Sequence, residues 1–479
     1  MSATKLAEFL QYIRGKRVGV IGIGISNTPV IDMLLKAGAA VSARDKKSED
    51  ALQPLASGLR AKGVRLVCGD DYLENIDEDI LLKAPGIRYD LPEFEAARRR
   101  GIPVTSEMEI FFEVCPSMIY GVTGSDGKTT TTTLIANMLR RQCEEDGNGS
   151  RVFLGGNIGA PLLPEAPEMS ESDLAVLELS SFQLQTLRRS PSVAVVTNVT
   201  PNHLNFHKDM EEYIQAKCAV YRYQQPDGRV ILNYENEITR TMAKNAEASV
   251  IYFSSLRSFT PETVPNEAAA IIHERGGKIC YTDRGGEYPL FDTDEIILPG
   301  RHNVENYMAA CGAVYGRVSP EIMRQTARIF QGVEHRIEFV REKGGVKFYN
   351  SSIDSSPTRT IAAVNSFPEA EKIILILGGR DKHVPFEPLA EPICRHAAAV
   401  VLTGEAAPQI EAALKKSGQF RASGIPVLHV PDFREAVTQA AELARPGETV
   451  LLSPSCTSFD AFKNFEERGR IFKKIVNEL

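Results

Sequence analysis

The stretch Gly121-Val-Thr-Gly-Ser-Asp-Gly-Lys-Thr129 follows directly on the apolar run Met118-Ile-Tyr120 and leads into a helix pattern over Thr130 to Arg141. In a glycine-rich turn between a strand and a helix, successive backbone N–H groups can converge on phosphate oxygens. The positive end of the helix dipole lies behind them. Lys128 offers a point charge for the β- and γ-phosphates, and the Thr129 hydroxyl is placed for Mg²⁺. The common phosphate loop has its first glycine where this chain has Val122, so the pattern is the narrower Thr-Gly-x-x-Gly-Lys-Thr. A tight strand-to-helix turn without a ligand is the plain alternative.

Working outward, the apolar strand Leu174 to Leu177 ends in Glu178-Leu-Ser-Ser-Phe-Gln183. An acid at a strand end, in a segment with a phosphate loop, is well placed to hold Mg²⁺ directly or through water. A capping or surface carboxylate is the alternative. The next strand, Val193 to Val196, ends in Thr197-Asn-Val-Thr-Pro-Asn-His203-Leu-Asn-Phe-His207, so His203 and Glu178 can face one phosphate site. Lys217 stands on a helix pattern, where a lysine reads first as part of a solvated face. A further strand spans Arg229 to Leu232, and the polar stretch from Ser254 to Asp294 reads as a small β subregion attached to the same sheet.

Upstream, Arg17-Val-Gly-Val-Ile21 precedes Gly22-Ile-Gly24 and a helix pattern from Pro29 to Ala37, and a second strand ends at Arg44-Asp45. Strands and helices keep alternating, which implies a parallel sheet. Gly22-x-Gly24 with Asp45 resembles a dinucleotide fingerprint, but Asn27 takes the place of its third glycine. A dinucleotide, another nucleotide and a structural turn all stay open for this segment. Cys115-Pro-Ser117 marks a first linker, and a second boundary falls around Gln331 to His335. Beyond it, βα alternation resumes with strands ending before Gly378-Gly379, Thr403-Gly404 and Ser453. The clusters Arg301-His302-Asn303-Val-Glu-Asn306 and Ser453 to Gly469 gather more hydrogen-bonding groups than a structural loop needs.

At 479 residues the chain exceeds one core, and about 150 residues per domain predicts about three. A net charge of −7 argues against nucleic acid as a partner. The eight cysteines form no C-x-x-C pair, so neither a zinc site nor a disulfide framework is indicated. No apolar run is long enough for a membrane helix or a signal peptide. A cytoplasmic monomer without membrane attachment is expected.

Together these motifs resemble the Mur ligases of peptidoglycan synthesis, ATP-dependent amide-forming enzymes of three domains. The resemblance covers Gly121 to Thr129, Gly156-Asn-Ile-Gly159, His302-Asn-x-x-Asn306 and His335-Arg336. It is tightest to the D-glutamate-adding members. Glu178-Leu-Ser-Ser-Phe-Gln, Thr200-Pro-Asn-His with Tyr213-x-x-x-Lys217, and above all Ser453 to Gly469 carry that match.

The resemblance implies an α/β fold with a Rossmann-like UDP-binding domain (1–116). A central P-loop-type ATPase domain with a parallel sheet (117–331) and a Rossmann-like amino-acid-binding domain (332–479) would follow. It implies ATP contacts at Gly124, Ser125, Asp126, Gly127, Lys128, Thr129, Thr130, Asn303, Asn306 and Arg336. The UDP-N-acetylmuramoyl-L-alanine substrate would meet Gly24, Ile25, Ser26, Asp45, Asn157 and His203, with Arg44 also near the uridine. D-Glutamate would meet Ser355, Lys382, Ser458 and Phe465. Two Mg²⁺ ions would be held by Thr129, Glu178, His203 and a carbamylated Lys217, and Lys128, Glu178, His203 and Lys217 would serve catalysis.

The chain departs from the family pattern at Ser351, Ala84 and Asn205, where Asp, Ser and Asp are common. The Ser351 change puts one nucleotide contact in doubt. Other readings are a different Mur ligase, adding L-alanine or a diamino acid, an NAD-dependent oxidoreductase, or a nucleotide-binding regulatory module without chemistry.

Overall fold

The computed structural model describes residues 2–24, 27–204, 206–381 and 384–479. Among these, three β-sheets of five, nine and six strands organise the chain. The first sheet has the order Arg65–Cys68, Ala40–Asp45, Arg17–Ile21, Ile80–Lys83, Val104–Thr105, every pair parallel. Strand order reverses beside Arg17–Ile21, which places a crevice at the carboxyl ends of that strand and Ile80–Lys83. Gly22 lies there at φ +87°, and a Cβ on it would meet Ala84 Cβ at 2.8 Å. Only glycine satisfies both demands.

The second sheet runs Gly286–Asp292, Lys278–Asp283, Ala270–Arg275, Ser249–Ser254, Arg229–Asn233, Val193–Val196, Met118–Thr123, Leu174–Glu178, Val152–Gly156. The expected β subregion is its antiparallel edge, Lys278–Asp283 and Gly286–Asp292. The other pairs are parallel. Central strands such as Leu174–Glu178 are buried along their whole length, which is why they read as unbroken apolar runs. The edge strand Val152–Gly156 escapes sequence reading because it is short, half-buried and ends in two glycines.

The third sheet, Glu338–Lys343, Val346–Asn350, Thr449–Leu452, Ile373–Gly378, Ala397–Thr403, Val427–His429, is parallel except for its first pair. Contacts gather the chain into two compact units. Met1–Thr293 with Glu305–Thr326 carries the first two sheets, and Asp294–Val304 with Ala327–Leu479 carries the third. No helix among the described residues is long and apolar enough to cross a membrane.

Two helices of the first unit aim its chemistry. Lys128–Asp146 starts at Gly127, in the left-handed region at φ +78°, and stops at Gly147, also left-handed. Met210–Arg222 is capped by Asp209, whose carboxylate accepts from the Glu212 N–H at 2.8 Å. Tyr213, Lys217 and Tyr221 share one stripe of that helix at i+4 spacing, and all three are buried. The solvated-face reading of Lys217 is therefore overturned, since the side chain is 1% exposed.

Candidate active site

The phosphate loop is held from the neighbouring strand end. Asn198 accepts the Asp126 N–H on its side-chain oxygen at 2.9 Å and the Ser125 N–H on its carbonyl at 2.9 Å. A Cβ on Gly124, at φ +151°, would meet Thr197 Oγ1 at 1.9 Å. The loop thus closes onto Thr197 and Asn198 with no room for a side chain. Sequence reading passed over Asn198, although its place just beyond a buried strand, like that of Glu178, was the available signal.

Lys128 Nζ donates to the carbonyls of Gly124 (3.0 Å) and Ser125 (2.8 Å). Lys217 Nζ donates to the same Gly124 carbonyl at 2.7 Å and lies 4.6 Å from the centre of the Tyr213 ring. Burial, and then the nearby charge of Lys128, push the Lys217 amine down to about 7. Tyr213 in turn bonds Ser125, O to O at 3.1 Å.

Glu178 is buried between two partners. The Thr129 hydroxyl donates to Oε2 at 2.7 Å, and Asn157 Nδ2 donates to Oε1 at 2.7 Å. Asn157 is fixed there because its own N–H bonds the Glu178 carbonyl at 2.8 Å. A Cβ on Gly156 would fall 2.2 Å from that carbonyl, which explains the preceding glycine. Asn306 completes the loop's far side. Its Oδ1 accepts from Thr131 at 3.2 Å, and a Cβ on Gly127 would meet it at 2.3 Å.

His203 adopts φ +56°, and its ring stacks edge-on against Phe182 with centroids 5.0 Å apart. Lost hydration, and then the charges of Lys128 and Lys217, hold its imidazole below the ordinary value. Gly124, Ser125, Asp126, Gly127, Lys128, Thr129, Thr130, Asn157, Glu178, His203, Lys217 and Asn306 all belong to the first unit.

At the first sheet, Asp45 braces the glycine turn, accepting from Ile23 N at 2.8 Å and Lys47 N at 2.9 Å. Gly24 is exposed beside it, while Ile25 and Ser26 lie outside the described residues. Arg44 adjoins the glycine turn through its carbonyl, which accepts from Gly22 N at 2.7 Å, but its side chain is engaged in the interior. Its guanidinium is buried and bonded to Glu78 (Nε to Oε1, 2.8 Å) and to the carbonyls of Tyr72, Glu74 and Asn75. That is an interior ion pair with every donor engaged.

In the second unit, buried Arg468 draws three segments together by donating to Ser352 (2.8 Å to its carbonyl), Cys456 (3.2 Å) and Thr457 (3.3 Å). Ser355, Ser458 and Phe465 lie on those segments. Ser352 Oγ also bonds the Phe465 carbonyl at 2.8 Å. Lys382 lies outside the described residues, as does Asn205. Asn303, bonded to the Pro299 carbonyl at 2.7 Å, and Arg336 also belong to this unit. Ser351 is fully buried and accepts from Ile337 N at 3.1 Å. Asp354 is buried too, accepting from Ser453 Oγ at 2.8 Å, and desolvation raises its carboxyl above the usual range.

Residues 122–314 match the Mur ligase middle domain, and residues 335–456 match the Mur ligase, glutamate ligase domain. The UDP-N-acetylmuramoylalanine--D-glutamate ligase of Acetivibrio thermocellus is 48% identical over 479 residues, covering 99% of each chain. The enzyme of the same name from Ruminiclostridium cellulolyticum is 44% identical, again over 99% of each. That from Clostridium novyi is 45% identical over 98% of this chain and 99% of its own. Among solved structures, the UDP-N-acetylmuramate-alanine ligase of Thermotoga maritima superposes with a TM-score of 0.56 at 19% identity, covering 97% of this chain and 99% of its own. A UDP-N-acetylmuramoyl-L-alanyl-D-glutamate--2,6-diaminopimelate ligase gives 0.57 at 18%, covering 98% and 93%. These two share the fold.

The matched domains and the full-length relatives make the chain an ATP-dependent ligase. The chain belongs to the Mur ligase family. Within it, the full-length relatives at 42–48% identity carry the D-glutamate-adding name.

Proposed function

We propose that the protein joins D-glutamate to the carboxylate of UDP-N-acetylmuramoyl-L-alanine at the expense of ATP, in peptidoglycan precursor synthesis. The arrangement of Lys128 and Lys217 on the Gly124 carbonyl, beside the Thr129–Glu178–Asn157 network, supports this reading most directly. Residues 1–116 would take the UDP moiety, 117–331 ATP, and 332–479 the amino acid.

The loop N–H groups and the Lys128 ammonium orient the triphosphate and offset its charge. The substrate carboxylate attacks the γ-phosphorus, ADP leaves, and an acyl phosphate forms. The D-glutamate amine, having lost a proton, then attacks the acyl carbon. The tetrahedral intermediate collapses to the amide and inorganic phosphate. Direct attack on a carboxylate would require oxide to leave, so phosphorylation makes the amide accessible.

The donor set suits Mg²⁺. Glu178 and Thr129 present hard oxygens 2.7 Å apart. The described residues contain no cluster of three His, Cys, Asp or Glu able to hold a metal unaided. Both features fit an ion that keeps water and substrate phosphate as ligands. When bound, Mg²⁺ supplies charge neutralisation between carboxylate and triphosphate. Lys217, with an amine near pH 7, is a candidate for carbamylation by CO₂, which would add a second oxygen donor beside the loop and serve two ions.

The test is phosphate release from ATP with UDP-N-acetylmuramoyl-L-alanine, Mg²⁺ and each of D-glutamate, L-glutamate, L-alanine and diaminopimelate. Release confined to D-glutamate is expected. Release with another amino acid would move the protein to another member of the family.

A further inference from the structure

Arg88, which neither motif reading nor the mechanism uses, links the first sheet to the His203 turn, where Lys208 Nζ also lies 3.4 Å from Asp90 Oδ2. Residues 84–88 leave the strand Ile80–Lys83 and pack on the glycine turn. The Ala84 N–H bonds the Ile21 carbonyl at 2.8 Å, and a Cβ on Gly22 would meet Ala84 Cβ at 2.8 Å and Ile87 Cδ1 at 3.3 Å. Arg88 thus follows directly, in the chain, on residues that touch the turn.

The guanidinium is gripped on its own side by Asp90, with Nε to Oδ1 at 2.7 Å and Nη2 to Oδ2 at 2.8 Å. Across the sheets it donates to the Phe206 carbonyl and to Glu212 Oε1, the latter at 3.1 Å, and lies 5.5 Å from the Phe206 ring centre. Phe206 and His207 both donate their N–H groups to the His203 carbonyl, at 2.9 and 3.0 Å. The Phe206 ring meets Phe182 at 4.3 Å, and Phe182 meets His203 at 5.0 Å. Glu212 Oε2 accepts the Lys208 N–H at 2.6 Å. The segment that follows His203 and bonds its carbonyl is thus held by Arg88 at Phe206 and, through Glu212, at Lys208.

We propose that Arg88 is a positioning residue that couples the UDP-binding glycine turn to His203, so that a seated nucleotide-sugar sets the histidine against the reacting carboxylate. This rests on the reading of the two sites given above. A planar fork is the right group for the task. It meets a carboxylate in two bonds and still has N–H groups for the carbonyl and the second carboxylate. Lysine would reach only part of that set.

The experiment compares the full-length wild type with R88A, R88K and E212Q. Calorimetry without ATP gives the dissociation constant for UDP-N-acetylmuramoyl-L-alanine, and steady-state kinetics give kcat and each KM. The expected result for R88A is a kcat loss on the order of 10²-fold with nucleotide-sugar affinity within about threefold, because misplacement by about 1 Å costs that much. R88K should regain part of kcat, and E212Q should lower kcat in the same direction. If R88A fails to fold, R88K and E212Q decide.

Wild-type kcat in R88A, or in both R88K and E212Q, would overturn the coupling. So would a loss carried wholly in nucleotide-sugar affinity. A wild type that releases no phosphate with D-glutamate would instead overturn the functional reading beneath it.

Discussion

The amine of Lys217 lies 2.7 Å from the carbonyl oxygen of Gly124, inside the phosphate loop and shielded from water. A lysine placed so is unlike any surface lysine. It has lost hydration, it feels Lys128 on the same carbonyl, and its amine is pushed down to about 7. The neutral form, which alone can add CO₂, is therefore populated at physiological pH.

The sign of the resulting pH dependence follows. The neutral amine is present above about pH 7 and is lost as pH falls through that value. Activity should drop on the acid side, and added bicarbonate should restore part of it. Lys217→Ala should lose nearly all turnover and regain some with acetate or formate, measured as phosphate release. Full activity of that variant without additive would remove the carbamate from the mechanism.

Lys128→Ala should lower kcat by roughly 10²–10³-fold or more, the usual scale for deleting one preorganised charge at a reacting group. Binding of UDP-N-acetylmuramoyl-L-alanine, measured by calorimetry without ATP, should change little. Retained turnover would remove Lys128 from phosphoryl transfer.

Glu107 lies in the interior, accepting from Leu163 N at 3.0 Å, and burial pushes its carboxyl up to about 7. A raised carboxyl pKa means the folded state holds a proton that the unfolded chain has released between about pH 4.3 and 7. Its contribution to stability is complete below that window and is lost as pH rises through it, up to roughly 3 kcal/mol. Glu107→Gln keeps an acceptor without a charge. Its Tm relative to wild type should therefore rise between pH 5 and pH 8, and a pH-independent difference would contradict the assignment.

Restoring the acid common in the family at position 351 should harm this chain. Ser351 is fully enclosed and Asp354 is already buried beside it. Ser351→Asp would press a second carboxylate into the same interior, at a cost of about 2–4 kcal/mol. Ser351→Asp combined with Asp354→Ser should recover most of that loss in a denaturant titration. An unaltered midpoint for the single variant would show the site to be more open than its packing indicates.

What the sequence by itself determined is local in origin. Glycines at φ +78° and +151° around Lys128, unbroken apolar strands and the alternation of strand and helix follow from backbone sterics and periodicity over a few residues. They were legible in order along the chain, as was the place of Glu178 at the end of its strand. Packing decided the rest. Whether Lys217 faced water or the loop, whether the Arg44 side chain was exposed or paired inside, and which carboxylate Asn157 would meet depended on elements far apart in sequence. Burial and charge pairing are properties of the assembled interior, where an ionised group is costly unless a partner from another segment arrives beside it. No spacing along one strand or helix encodes that arrival. Arg88, which reaches from one sheet to the turn of another, became visible only once both sheets were folded.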